Sequence, residues 1–153
     1  MTYSFLFKGE MNMKEHSNLT IENVGVKATI YRLSIDDKIS YIGCTQRPLE
    51  SRAKEHIYGL QSMTHKNVAL KKRYALSQKG IIKVEPVLQL CTDNKLVMYF
   101  AEALVNSYYQ YSIVNDVVIA EGKGQIKLPR IEQDLAYKLL TVIADWYNTT
   151  LNI

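Results

Sequence analysis

The chain contains three short runs in which apolar and polar positions alternate. Val26–Ser34 places every second residue on one face, and Ile39–Gly43 resumes the alternation after Asp36-Asp37, a pair typical of turns. This pattern predicts a β-hairpin. Ile81–Leu90 predicts a third strand. Pro86 within that strand removes one backbone donor, so we expect the strand to lie at a sheet edge or to contain a bulge.

Apolar spacings of three and four residues predict helices in the remainder of the chain. Pro48 opens the first helix, which runs to about residue 63. The second covers about 67–78 and the third about 94–111. With the three strands, this order predicts an α+β fold, in which a small three-stranded, mostly antiparallel sheet is flanked by helices.

The pattern divides the chain into three regions. Residues 1–25 show no sustained period, so we expect an N-terminal extension with at most one short element. Residues 26–116 hold the predicted domain, and residues 117–153 form a C-terminal hairpin and amphipathic helix, packed on the same domain or on a partner. The predicted buried stripe of that last helix consists of Ile131, Leu135, Leu139, Val142 and Trp146.

Composition fixes the broad class, and charge indicates a partner. The chain has 153 residues, of which 47% are apolar and 22% charged, as in folded domains. No apolar run reaches the roughly 18 residues of a membrane-spanning helix, and the two cysteines are too few for a disulfide framework. We therefore expect a cytoplasmic protein with no membrane partner.

The net charge is +4, and the basic residues are concentrated in one part of the chain. Residues 29–83 hold eleven Lys and Arg residues but only four acidic ones. Such a surface suits a polyanion such as DNA or RNA. A solvated, lysine-rich surface explains the charge equally well.

Three residues combine charge or imidazole with predicted burial. Arg52 and His56 lie beside the apolar stripe of the first helix, so both should point toward the sheet. An arginine in that position needs an anion, either a carboxylate or a bound phosphate. Glu102 is the only charge in the apolar stretch 96–105, so we expect it to pair with Arg52 or to hold a divalent cation.

Two further groups are weaker signals. Tyr31 and Tyr41 lie on neighbouring strands, where paired tyrosines usually pack, and Gly43 stands where the backbone should turn closely. A basic surface at the start of the second helix fits either phosphate or solvent. Its residues are His65, Lys66, Asn67, Lys71, Lys72 and Arg73.

Taken in order, these residues resemble the GIY-YIG endonuclease superfamily, in the form typical of phage, homing and restriction members. The resemblance covers residues 28–116, and its most specific stretch is Tyr41–His56. One departure is that Thr29 replaces the first glycine of the family's name-giving motif, a change that suits a strand. The matching residues are Thr29-Ile30-Tyr31, Tyr41-Ile42-Gly43, Arg52, His56, His65-Lys66-Asn67, Lys79-Gly80, Glu102 and Asn115.

The resemblance implies an endonuclease that hydrolyses DNA phosphodiester bonds with one Mg²⁺ or Mn²⁺ per site. Glu102 would bind the metal, and Arg52 would stabilise charge on the phosphoryl group. Tyr31, assisted by His56, would activate the attacking water, while Tyr41 would position water or phosphate. Because a free tyrosine titrates near 10, Tyr31 needs a nearby cation or partner to act as a base.

The resemblance also assigns supporting roles and leaves alternatives open. Gly43 and Asn115 would be structural, and the basic surface around Lys71 and Lys72 would contact nucleic acid, most simply duplex DNA. Thr29 and the broad apolar face of the last helix also fit a non-catalytic nucleic-acid-binding or assembly module with the same fold. An RNA-directed nuclease is a third interpretation. A homodimer would supply the two active sites needed to cut both strands at once.

Overall fold

The computed structural model describes residues 5–7, 25–110 and 118–153. Within these ranges the strands form one antiparallel sheet in the order β1-β4-β2-β3. The predicted three-stranded antiparallel sheet is confirmed, and a short strand from the N-terminal extension adds to it beside β4. The strands are β1 (Phe5–Phe7), β2 (Ala28–Ile35), β3 (Lys38–Thr45) and β4 (Ile82–Leu90).

Helices flank the sheet, so the α+β class is confirmed. None of the helices in the described ranges is both long enough and apolar enough to cross a bilayer. The helices are α1 (Leu49–Gln61), α2 (Val68–Ala75), α3 (Lys95–Gln110) and α4 (Gln133–Trp146).

The predicted hairpin is closed by two residues with positive φ angles, Asp36 at 49° and Asp37 at 63°. Two such residues make a tight turn whose twist matches the flanking strands. The Asp36 carboxylate accepts hydrogen bonds from the backbone N–H groups of Lys79 and Ile81, each at 2.9 Å. The hairpin is therefore fixed to the start of β4.

Pro86 lies in a bulge, one of the two positions expected for it. The register between β2 and β4 shifts so that Ile30 is opposite Leu88 and Tyr31 is opposite Pro86. Because Val87 is left as the extra residue, the missing N–H of Pro86 falls where the ladder is already interrupted.

The sheet is covered on both faces. Successive side chains of a strand point to opposite faces, and Ile30 and Leu33 of β2 belong to separate apolar clusters. The cluster with Ile30 includes residues of α3 and α4. The cluster with Leu33 includes Leu49 of α1 and Leu70 of α2. Tyr31 is buried on this second side, and the candidate site combines it with residues of α1 and with Glu102 of α3.

The stripe predicted for the last helix is correct at Ile131 and Leu139, which are partly buried against the core, and wrong at its other three positions. Leu135, Val142 and Trp146 are 50%, 44% and 75% exposed. Both faces of this helix carry apolar residues, so its periodicity did not determine which face packs on α3. The buried positions include two alanines, which allow two helices to approach closely. They are Ala136, Leu140, Ile143 and Ala144.

The C-terminal hairpin is absent from residues 118–128, which the structure describes. Instead, Ala120 forms an isolated parallel bridge with Tyr41, and its N–H donates to the Ser40 carbonyl at 2.8 Å. At the end of the chain, the Asn152 N–H donates to the carbonyl of Val87 at 2.7 Å. Residues 118–153 therefore pack on the same sheet, and 118–125 extend along β3.

Candidate active site

Three of the residues singled out in the sequence line one cleft of about 350 Å³. Tyr41 comes from β3, Arg52 from α1 and Glu102 from α3. Tyr31 accepts a hydrogen bond from Arg52 and is in ring contact with Tyr41, and His56 is in ring contact with Tyr41 and hydrogen bonded to Tyr31. The five residues predicted to be catalytic therefore converge, although they come from four different elements.

Helix α1 directs two of them inward, as its pattern predicted. Its apolar stripe is buried, with Leu49, Ala53, Ile57 and Leu60 at most 3% exposed. His56 lies beside this stripe and is 1% exposed, and Arg52, one turn earlier, is half-buried.

Gly43 does not form a turn. It lies within β3, where its lack of a side chain leaves space for a neighbouring ring. It is opposite Tyr31 in the β2–β3 ladder. A Cβ atom at Gly43 would lie 2.8 Å from Cε2 of Tyr41 and would overlap the Tyr31 hydroxyl. The absence of a side chain therefore allows the Tyr31 ring to lie across β3, with its hydroxyl group beside α1.

A chain of hydrogen bonds runs from the start of α2 to Tyr31. The backbone N–H of Asn67 donates to Nδ1 of His65 at 3.0 Å. His65 Nε2 lies 2.8 Å from Nδ1 of His56, and His56 Nε2 lies 2.7 Å from the Tyr31 hydroxyl oxygen. The two imidazole planes are nearly parallel, at 15°, and their centroids are 5.1 Å apart, so the rings meet edge to edge through this hydrogen bond.

The backbone N–H of Asn67 determines which groups donate and which accept along the whole series of hydrogen bonds. Because Nδ1 of His65 accepts from a backbone N–H, neutral His65 carries its proton on Nε2 and donates to His56. His56 then carries its own proton on Nε2 and donates to Tyr31. Burial lowers the pKa of His56 to about 3, with smaller contributions from Arg52 and His65. Burial also lowers the pKa of His65, so both rings are neutral at pH 7.

The Tyr31 oxygen accepts a second hydrogen bond, from Nε of Arg52 at 3.3 Å. Two donors therefore point at this oxygen, and its own hydrogen is free to point elsewhere. Burial raises the pKa of Tyr31, and the charge of Arg52 acts in the opposite direction. The same arrangement would stabilise a phenolate once it formed.

Arg52 is held in place by Glu55 and not by Glu102. Its Nη1 donates to Oε2 of Glu55 at 2.8 Å, and Arg47 donates to both oxygens of the same carboxylate. Hydrogen bonds from Arg47 and then Arg52 lower the pKa of Glu55 to about 2. Arg52 was one of the two partners expected for Glu102. It is paired instead with Glu55, which lies on the same helix as Arg52.

Glu102 is a buried carboxylate, 7% exposed, that borders the cleft from α3. Within the described parts of the chain it forms no ion pair. Burial raises its pKa to about 7, and a hydrogen bond from the Gln125 side chain acts against that rise. Such a carboxylate is close to equally protonated and ionised at neutral pH, so a bound cation would favour the ionised form.

Three cleft residues were missed in the sequence: Lys95, Lys123 and Gln125. They stand at the start of α3 and in the segment after it, with no periodicity to mark them. The only signal is the pair of glycines around Lys123. With Arg52, the two lysines give the cleft three cationic side chains around one carboxylate.

The predicted phosphate-binding residues do not act as one surface. His65 belongs to the hydrogen-bond chain. Asn67 caps α2, because its Oδ1 accepts from the Leu70 N–H at 3.1 Å, and its Nδ2 donates to the Glu121 carbonyl.

The other members of that set, Lys66, Lys71, Lys72 and Arg73, do not line the cleft. Lys72 and Arg73 line a separate groove of about 870 Å³ beside residues 118–128. Asn115 lies outside the described residues.

Comparisons of the chain with protein-family models, curated proteins and solved structures found no match. Function is therefore inferred from the cleft itself.

Proposed function

We propose that this chain is a GIY-YIG-type endonuclease that hydrolyses DNA phosphodiester bonds with one Mg²⁺ or Mn²⁺ per site. The observation that carries the proposal is the convergence of five side chains. Tyr41, Arg52 and Glu102 line one cleft, and the buried Tyr31 and His56 contact residues of its wall. A cytoplasmic location is part of the proposal, because both cysteines are free, as in a reducing compartment.

The charge of the cleft supports a polyanionic substrate. Arg52, Lys95 and Lys123 surround the single carboxylate of Glu102. Lys123 makes no salt bridge with any residue that the structure describes, so its ammonium group is available to a phosphate. A positive cleft next to a buried carboxylate is expected where an anionic backbone and a cation bind together.

The chemistry of Glu102 fits a magnesium ion. Mg²⁺ prefers hard oxygen ligands and usually retains several waters, so one or two carboxylates and substrate phosphates suffice. The described residues include no group of three or more His, Cys, Asp or Glu side chains arranged for a metal. When bound, the cation would polarise the scissile phosphate and stabilise the leaving oxygen.

Tyr31 is the proposed base. After its hydroxyl proton passes to solvent, the phenolate is stabilised by the N–H groups of His56 and Arg52. It then takes a proton from water as the water oxygen bonds to phosphorus and the phosphorus–oxygen ester bond breaks, and solvent protonates the leaving oxygen. Because burial raises the pKa of Tyr31, the cleavage rate should increase with pH above neutrality.

A second candidate function is an assembly or nucleic-acid-binding module without catalysis. The exposed apolar residues of α4 favour it, since Leu135, Val142 and Trp146 would be covered by a partner or by a second copy of the chain.

The experiment that separates these functions is cleavage of supercoiled plasmid by wild type and by Glu102→Ala, in Mg²⁺ and in EDTA. The nuclease proposal expects nicked or linear DNA only from wild type with metal. Glu132→Ala is a matched control, because Glu132 is exposed and lies outside the cleft. The binding module is correct if wild type and Glu102→Ala both bind the plasmid but neither cleaves it. In that case neither protein should cleave duplex or single-stranded RNA. Cleavage of RNA alone identifies an RNA-directed nuclease.

A further inference from the structure

Gln125 has both ends of its side-chain amide fixed by backbone groups. Its Nε2 donates to the Ile42 carbonyl of β3 at 2.7 Å, and its Oε1 accepts from the Gly122 N–H at 2.7 Å. These two bonds determine which end of the amide is nitrogen and hold its plane. A side-chain amide has two N–H donors, so one remains after the bond to Ile42.

Glu102 and Gln125 line the same cleft, so the second donor faces the space that the Glu102 carboxylate borders. Hydrogen bonding by the Gln125 side chain also lowers the pKa of the Glu102 carboxyl group, against the larger effect of burial. A carboxylate has about four acceptor positions, so one neutral donor orients it and leaves the others for a cation. A lysine in this place would have the opposite effect, because its charge would compete with the cation.

The segment before Gln125 is built to hold this amide. The Ala120 N–H bonds to β3, and the Asn67 side chain donates to the Glu121 carbonyl at 2.9 Å. A Cβ atom at Gly122 would lie 2.9 Å from Cδ of Gln125 and 3.0 Å from the Tyr41 hydroxyl. A side chain at residue 122 would therefore displace the Gln125 amide or the Tyr41 hydroxyl group.

We propose that Gln125 is a positioning residue that holds the Glu102 carboxylate in the orientation that binds a divalent cation. Residues 123–125 of the C-terminal region thereby form one wall of the candidate active site. The inference rests on the metal-dependent function proposed above, and it adds to that function a residue outside the stretch 28–116.

The test is a titration with Mn²⁺, in which the free ion is followed by electron paramagnetic resonance, so that no cleavage is required. Wild type should show a site that Glu102→Gln removes. Gln125→Met keeps the side-chain length but has no donor, and it should bind Mn²⁺ about 10- to 100-fold more weakly. Gln133→Met is the matched control, because the Gln133 amide donates to the Tyr108 carbonyl away from the cleft. Its Mn²⁺ affinity should equal that of wild type.

Gly122→Ala provides a second approach if Gln125→Met does not fold. It leaves the amide chemically intact but displaces it, so Mn²⁺ affinity should again fall. DNA affinity measured in EDTA should be unchanged in Gln125→Met, and excess Mg²⁺ should restore cleavage. A merely structural defect would not respond to the metal in this way.

Wild-type Mn²⁺ affinity in Gln125→Met would overturn the inference, as would the absence of a Glu102-dependent site in wild type. Weakened Mn²⁺ binding in Gln125→Met together with no DNA cleavage by wild type would support the positioning role and reject the endonuclease. The two proposals can therefore fail separately.

Discussion

On one side of the cleft, Tyr31, His56 and His65 are joined by short hydrogen bonds among neutral groups. On the other side are Glu102, Lys95 and Lys123, which are ionisable and come from α3 and from residues 118–125. The first side has a fixed geometry because each of its two imidazoles has an assigned donor and an assigned acceptor. The second side depends on what binds there, because Glu102 forms no ion pair within the described parts of the chain. In the proposed endonuclease, a rigid base and an adaptable cation site would be complementary parts of one hydrolytic centre.

Arg52 joins the two sides, so its replacement should have the largest effect. Arg52→Lys keeps the charge but loses the fork that binds Tyr31 and Glu55 together. We expect cleavage in saturating Mg²⁺ to fall by roughly 10²- to 10³-fold. Arg47→Lys is the matched control, because Arg47 binds the same Glu55 carboxylate from the solvent side. Equal losses in the two variants would show that the Glu55 ion pairs matter and the Tyr31 contact does not.

Gly43→Ala should disturb only the rigid side of the cleft, which consists of Tyr31, His56 and His65. The added methyl group overlaps the Tyr31 hydroxyl, so Tyr31 must move. We expect about 1–3 kcal/mol less stability in urea unfolding and a loss of about 10² in cleavage rate. In Gly25→Ala, the methyl group meets no atom within 4 Å, and only the positive φ of 101° is strained. That control should lose stability without losing specific activity, and a normal rate in Gly43→Ala would mean that Tyr31 is not the base.

The rigid side should be sensitive to acid. The folded pKa of His56 is about 3, below its ordinary value of 6.5. As pH falls below 6.5, the unfolded chain takes up a proton that the native chain does not, so stability decreases until pH 3. Between pH 7 and pH 4 we expect His56 to account for about 3 kcal/mol of lost stability. Urea midpoints of wild type and His56→Gln between pH 7 and 4 provide the measurement, and parallel curves would contradict the burial of a neutral imidazole.

The cation side of the cleft, which contains Glu102, should change stability with pH in the opposite direction. The folded pKa of Glu102 is about 7, above its ordinary value of 4.5. Its contribution to stability is present below pH 4.5 and is lost as pH rises through 7, because the native carboxyl group must then ionise while buried. Without metal, Glu102→Gln should therefore be more stable than wild type at pH 8, by about 1–2 kcal/mol. The gain should vanish at pH 4.5, and a gain of equal size at both values would point to packing instead.

The smallest effect is expected at Lys123, one of the two lysines on the cation side of the cleft. Lys123→Ala should weaken DNA binding in EDTA and reduce the slope of log affinity against log salt by about 1. Lys127→Ala is the matched control, because Lys127 is paired with Glu121 at 3.1 Å and lies outside the cleft. Fluorescence anisotropy on a short duplex measures the DNA affinity and its salt dependence for both variants. Identical salt slopes for the two variants would remove Lys123 from the DNA path.

The two sides of the cleft also differ in how far the sequence predicts them. The inward placement of Arg52 and His56 follows from the spacing of Leu49, Ala53 and Ile57 within one helix. The burial of Glu102 follows from its apolar neighbours. These are local patterns, and each one repeats within a single element.

Contacts between distant residues are not encoded in such patterns. Gln125 bonds to Ile42, 83 positions away, and no periodicity links them. The stripe of α4 failed at three positions for a related reason: apolar residues lie on both of its faces, and packing against α3 determines which face is buried. Arg52 could have paired with Glu102 or Glu55. The partner three residues along the same helix was favoured, since its side chain is already adjacent.

The most direct test of the central claim is plasmid cleavage and plasmid binding measured on the same samples of wild type and Glu102→Gln in Mg²⁺. The endonuclease proposal predicts that both proteins bind the DNA and that only wild type converts supercoiled plasmid to nicked or linear forms. Equal cleavage by both proteins, or binding without cleavage by wild type on every DNA form, would contradict it.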